Sequence, residues 1–355
     1  MESLNVSRYI QEMDKERTRH IKDMHELISI PAPTYLNQRF KLNPDSVELP
    51  NGFSDYVVKF VRKGLQKIKQ VTRNPQASLG VLLSGGVDSS VALQAGYNAV
   101  NKDLVALTIT HTMLGEQEKV DHEKRDSLVS RLKIREVKQD ITPIIEAELK
   151  LILSLPETIK LFKRRPELFE IYRAEAISRA RTIAMLNYCS LEQAYMIDTG
   201  NLTESSLGQS TIGDSSGFSI NILSLLLKGE VRRLGKELGL GKEFYEQEKR
   251  TGEFSLMGNN QLGASDDYFD PIVNLYLNGA SLDEISRLTQ HDPKWLKKLE
   301  RRFERARIVR ATNCPIINLE ENELVPTIKE TWQQKIKTSK LAYELNKKRR
   351  LYMPK

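Results

Sequence analysis

The chain has 355 residues, of which 39% are hydrophobic and 28% charged, and its formal net charge is +7. That balance describes a folded domain with a real apolar core and excludes a disordered chain; the length allows one large α/β domain with terminal additions. No apolar run approaches the ~18 residues of a membrane span, and Met1 to Ile30 lacks the apolar stretch and cleavage site of a secretory signal, so a cytoplasmic protein without membrane contact is expected.

In chain order, residues 1–50 lack a clean period and contain Pro31-Ala32-Pro33, which reads as an arm laid over the main domain. Val57, Phe60, Val61, Leu65 and Ile68 recur at helical spacing and predict a helix from Phe53 to Lys69. A strand follows at Leu79 to Leu83, then a helix from Asp88 to about Ala99 and a strand at Leu104 to Thr110. A helix around Lys119 to Leu132, a short strand at Ile134 to Val137, a long helix from Pro166 or Leu168 to Tyr188 and a strand at Ala194 to Asp198 continue the alternation. Such alternation predicts an α/β fold of Rossmann-like type, an open parallel sheet with helices on both faces. Beyond Leu225 the chain reads as helical, which makes residues 51–315 the main domain with a helical C-terminal extension, and 316–355 a basic tail.

The chemistry concentrates at Leu82-Leu83-Ser84-Gly85-Gly86-Val87-Asp88-Ser89-Ser90, where an apolar strand turns into a helix. Gly85 and Gly86 let the backbone approach an anion, the amides of the helix start point outward, and Ser84 and Ser89 add hydroxyls; this is a phosphate loop. A carboxylate beside polyphosphate needs a cation between them, so Asp88 reads as a magnesium ligand. The plain alternative is a strand-turn-helix connection with Ser84 as a cap. No Lys follows Gly86 as the Walker pattern demands, which disfavours transfer of a terminal phosphate.

Ser-Gly-Gly-x-Asp-Ser after a buried strand resembles the signature of the ATP pyrophosphatases, the adenine nucleotide alpha hydrolase-like group, which cleave ATP between its α and β phosphates. A second segment, Asp198-Thr199-Gly200-Asn201-Leu202-Thr203-Glu204, is similar to a pattern of the ammonia-dependent NAD synthetases, whose Glu holds magnesium. Lys228 falls where that family carries a Lys reaching the ATP phosphates. Thr251-Gly252-Glu253-Phe254 resembles its phosphate-contacting turn, and Gln261 to Asp270 and Ser281 to Pro315 resemble its later segments. The resemblance covers about Gly52 to Pro315. It implies an ATP-dependent amide-forming ligase, in which Asp88 and Glu204 hold Mg2+ and Lys228 acts on the phosphates. Ser84, Gly85, Gly86, Asp88, Ser89, Thr199, Lys228 and Thr251 would bind ATP, and Arg181 and Asn201 the substrate. That substrate would be nicotinic acid adenine dinucleotide, amidated by ammonia in a homodimeric enzyme.

Cys189 and Cys314 form no CxxC or Cys/His pattern, so a disulfide framework, a zinc site and a thiol amidase are not expected, and free ammonia is the simpler nitrogen source. Four positions depart from the family pattern: Thr108 and Ile183 stand where it usually has Arg, Ile212 where it has Lys, and Ser219 where it has Asp. They leave open a ligase acting on another carboxylate. A nucleic-acid or tRNA-modifying role is a second alternative, carried by the basic, helix-turn-helix-like segment Ser281 to Lys297. His111, just after the second strand, would line the ATP or ammonia path or be an ordinary loop histidine.

Overall fold

A computed structural model of the chain describes residues 47–111, 116–209, 218–246, 266–311 and 328–349. In these, α1 (Phe53–Thr72), β1 (Ser78–Leu83), α2 (Val87–Val100), β2 (Leu104–Thr110), α3 (Glu116–Leu132) and β3 (Arg135–Asp140) are followed by α4 (Thr142–Leu153), α5 (Pro156–Arg164) and α6 (Pro166–Glu192). Next come β4 (Ala194–Asp198), α7 (Leu202–Leu207), β5 (Phe218–Asn221), α8 (Lys228–Glu237) and α9 (Lys242–Tyr245). The remaining helices are α10 (Asp266–Leu277), α11 (Leu282–Thr289), α12 (Pro293–Ala311), α13 (Ile328–Thr338) and α14 (Lys340–Arg349).

Period-2 alternation sends successive strand residues to opposite faces, and here both faces are covered. Leu79, Val81, Leu104 and Ala106 pack with Val57 and Val61 of α1, Val91 of α2 and Leu234 of α8. Val105, Leu107 and Met196 pack on the other face with Ile145 of α4 and Ala180 and Ala184 of α6. Burial of each larger side chain in these layers contributes about 1.5–3 kcal/mol. The expected α/β sheet with helices on both faces is therefore the observed one. A third cluster joins Leu202 of α7 to Phe269, Ile285, Leu299 and Trp332, and forms the helical C-terminal part.

All pairings are parallel and the strand order is β3-β2-β1-β4-β5. The chain leaves β1 toward β2 and β3 on one side, then returns to β4 and β5 on the other. The order therefore reverses between β1 and β4, with Val81 opposite Ile197, and opens a crevice beyond their carboxyl ends, where ligands bind in sheets of this kind.

Most predicted elements lie within a few residues of the observed ones, with two informative differences. The strand expected at Ile134 to Val137 runs from Arg135 to Asp140, since an edge strand beside β2 tolerates charges such as Arg135 and Lys138. The long helix continues past Tyr188 to Glu192 and ends at Gln193, a non-glycine residue with φ 50°. Residues 1–46 of the arm, Cys314, and residues 316–327 and 350–355 of the tail lie outside the described residues. No helix among the described residues is long and apolar enough to cross a membrane.

Candidate active site

The loop after β1 stands at one wall of the crevice. Gly85 has φ +92°, a left-handed value that favours glycine, and a Cβ there would lie 2.0 Å from the Asp121 carbonyl oxygen of α3. The loop thus passes directly under the α3 backbone. Gly86 has an ordinary φ of −71° and starts α2. The Ser84 and Ser89 hydroxyls lie 3.0 Å apart; Ser84 Oγ accepts the Gly86 N–H at 3.3 Å, and Ser89 Oγ donates to the Gly86 carbonyl at 3.1 Å. Ser89 is buried and Ser84 exposed, so the pair presents one hydroxyl outward from a loop tied by its own hydrogen bonds.

The opposite wall comes from the end of β4. Asp198 accepts the Gly200 N–H at 3.1 Å and the Asn221 amide at 2.6 Å, which fixes the turn containing the half-buried Thr199. Asn201 is fully buried and its amide is engaged on both atoms. Its oxygen accepts the Glu204 N–H at 2.9 Å in a capping box that starts α7, and its nitrogen donates to Asp88 Oδ1 at 2.9 Å across the crevice.

Lys228, the first residue of α8, completes the cluster. Its ammonium donates to Asp88 Oδ2 in a short contact and to Glu204 Oε1 at 3.1 Å, and only 6% of its side chain is exposed. Asp88, Asn201, Glu204 and Lys228, drawn from three chain segments, thus meet at the mouth of the β1/β4 crevice. Two carboxylates on either side of one small cation are hard oxygen donors with matching charge, the donor type suited to Mg2+. Their shared contact with one ammonium shows that they converge on a single cation-sized position.

Asp270 is a buried acid beneath the site that sequence reasoning left without a role. It is fully buried on α10, accepts the Thr203 hydroxyl at 2.5 Å, the Lys228 N–H at 3.2 Å and the Gly229 N–H at 2.7 Å. It therefore caps α8 from outside and fastens it to α7, the helix that carries Glu204. An acid flanked by Phe269, Pro271 and Ile272 on an apolar helix is the signal that could have found it. Asp270→Asn puts an amide NH2 among these donors; we expect a loss of about 2–3 kcal/mol, read as a lower urea midpoint with unchanged slope.

Of the remaining expected residues, Arg181 is half-buried on α6, the helix that packs beside β4. His111 is buried just after β2. Thr251 and Ile212 lie outside the described residues. Thr108 is buried in the sheet and donates to Glu136 at 2.9 Å, while Ile183 is 43% exposed on α6. Burial pushes the Cys189 thiol above its ordinary range, which suits an inert core cysteine. The helix-turn-helix-like segment forms α11 and α12. Trp295, Leu296 and Leu299 of α12 face the core while Lys294, Lys297, Lys298 and Arg301 form a solvated face, and Gly208, ending α7, abuts the α12 backbone at Ala306.

A family model described as NAD synthase matches residues 55–312. Among curated proteins, the chain is 22% identical over 208 residues to an NH(3)-dependent NAD(+) synthetase of Chlorobaculum parvum, covering 58% of this chain and 68% of that one. It is 25% identical over 234 residues to a protein of the same name from Methanocaldococcus jannaschii, covering 66% of this chain and 84% of that one. Matches to other relatives of that name cover 65% and 53% of their length. Among solved structures, an NMN synthetase from Francisella tularensis superposes with a TM-score of 0.53 at 19% identity, over 76% of this chain and 96% of that one. That last likeness concerns the fold.

Proposed function

The chain belongs to the NAD synthase family, and from that premise we propose that it is an ATP-dependent amide-forming ligase that makes NAD from nicotinic acid adenine dinucleotide and ammonia. The observation that carries this reading is the convergence of Asp88, Glu204 and Lys228 beside the Ser84–Ser89 loop, at the switch point of the sheet. Anionic phosphates fit the loop amides and the Lys228 ammonium; two carboxylates so close to them suit a site that also takes a divalent cation.

In this reading ATP lies on Ser84, Gly85, Gly86 and Ser89, with Thr199 near the phosphates and Thr251 binding ATP as the family resemblance implies, and Asp88 and Glu204 would hold Mg2+. The bound metal supplies neutralisation of charge on the polyphosphate. The substrate carboxylate oxygen bonds to the α phosphorus as the α–β bridging bond breaks, giving an acyl-adenylate and pyrophosphate. Ammonia then forms the C–N bond, AMP leaves with the electron pair of the acyl C–O bond, and a proton goes to solvent. No side chain need act as nucleophile. Lys228 and the loop amides stabilise the leaving pyrophosphate. Asn201, expected to bind substrate, has its amide engaged by Asp88 and the Glu204 N–H and so acts on the site by holding Asp88 in place, while Arg181 contacts the substrate. The enzyme works in the cytoplasm as a homodimer, with α6, whose Ile183, Leu186 and Leu191 are exposed, as its contact face.

A second reading keeps the reaction and changes the acid. Thr108 and Ile183 replace the family's usual arginines with a hydroxyl engaged by Glu136 and an apolar side chain, so fewer cations await a dinucleotide. One assay separates the two: pyrophosphate release with ATP, magnesium, ammonia and nicotinic acid adenine dinucleotide, with NAD measured in parallel. We expect release matched by NAD, and a fall of about 10³-fold in Asp88→Ala. ATP binding without turnover on this acid would favour the second reading; unchanged turnover in the variant would remove the site itself.

A further inference from the structure

The segment that delivers Lys228 is gripped from a direction that the family match does not reach. The match ends at residue 312, and α14 lies beyond it. Arg349, on the last turn of α14, is completely buried and forms a forked ion pair with Glu230 of α8, Nε to Oε1 and Nη2 to Oε2, both at 2.8 Å. Nη2 also donates to the Leu225 carbonyl at 2.5 Å, and the guanidinium lies 4.6 Å from the Trp332 ring centre. Glu230 Oε2 accepts the Leu227 N–H at 2.8 Å as well.

One planar cation therefore holds the chain both before and after Lys228. A rotation or slide at the start of α8 breaks the contact to Leu225, the contact to Glu230, or both. A buried ion pair is an uneconomical way to stabilise a core, where apolar side chains of similar volume do as well, and its value lies in fixed geometry. What that geometry fixes here is the residue whose ammonium reaches Asp88 and Glu204.

We infer that Arg349 is a positioning residue for Lys228, so that the C-terminal helix α14 is a working part of the nucleotide site. The assignment of Lys228 to the phosphates rests on the synthase reading above; the grip on the 225–230 segment does not.

The test uses the full chain with Arg349→Met and the milder Arg349→Lys, which keeps the charge and loses the fork. Backbone hydrogen exchange on the free protein reads position without nucleotide. Exchange at residues 225–231 should rise about tenfold or more while β1 is unchanged. Equal acceleration everywhere, or none, would show a plain core contact and overturn the inference. Binding of a magnesium complex of a non-cleavable ATP analogue is then compared in R349K, Lys228→Met and the double variant. Arg349 acting through Lys228 predicts that R349K weakens binding about tenfold and adds nothing once Lys228 is gone. Additive losses would also overturn it. If exchange rises locally but the unaltered chain binds no analogue, the grip stands and the synthase reading falls.

Discussion

Gly85→Ala should lower pyrophosphate release by about 10²-fold and destabilise the chain, whereas Gly86→Ala, one residue on, should leave stability within about 0.5 kcal/mol. The two glycines share a motif but not a constraint. At Gly85 an alanine meets two penalties: a left-handed φ of +92°, costing about 1–2 kcal/mol for a residue with Cβ, and a Cβ placed 2.0 Å from the Asp121 carbonyl. Neither α3 backbone nor loop can yield cheaply, since α3 is anchored by the buried Leu128 and Leu132. A displacement of the loop by about 1 Å is enough for a loss of about 10²-fold in turnover. At Gly86 φ is −71° and the nearest atom to a new Cβ is Ser84 Oγ at 3.4 Å, an ordinary contact. Thermal melts and turnover of the two variants check this together; equal behaviour of the pair would mean that the overhang of α3 does not constrain the loop.

Lys228→Met should lower turnover by about 10²–10³-fold and also make the fold respond to magnesium. Without the ammonium, Asp88 and Glu204 remain near each other with their shared counter-charge removed. Leaving a buried charge unpaired typically costs about 3–5 kcal/mol, and the lower end applies because these carboxylates are 16% and 26% exposed. A divalent cation bound by both carboxylates would restore the balance. The urea midpoint of the variant should therefore fall in chelator and recover as magnesium is added, while that of the unaltered chain moves less. No response to magnesium in Lys228→Met would argue against Asp88 and Glu204 as metal ligands; normal turnover would leave the lysine as a counter-ion only.

How much of this could be read from the residues alone depended on whether the relevant physics is local. Leu79 to Leu83 announces β1 because a central strand must be apolar on both faces, and the paired glycines with flanking serines announce the loop. β3 was harder, since Arg-Glu-Val-Lys-Gln-Asp is a sequence that only an edge position accepts, and β5 has too few apolar residues to rise above loop background. Helices α4 and α5 were not recognised: Pro143 and Pro156, which stand in their first turns, read equally well as breaks. In the site, the meeting of Asp88 with Glu204 followed from the motifs, but Asn201 as the link between them did not. Its amide can be seen to cap α7 from sequence spacing; that the other atom reaches Asp88, 113 residues away, is set by the β1/β4 pairing. Asp270 and Arg349 were hidden for the same reason. A buried charge is intelligible only beside its partner, and the partners here are distant in the chain.

The central contact of the site, between Asp88 and Lys228, joins residues 140 positions apart. Closing a flexible loop of that length costs about 4 kcal/mol of chain entropy, which a lone ion pair at a crevice mouth does not recover. The sheet, with β1 already beside β4, must therefore assemble first and hold the ends near each other. During synthesis a chain with its Ser84–Ser89 loop complete still lacks the lysine, and one that has the lysine still lacks Arg349. Competence to engage nucleotide thus waits until α14 has been made, well after β1 and β4.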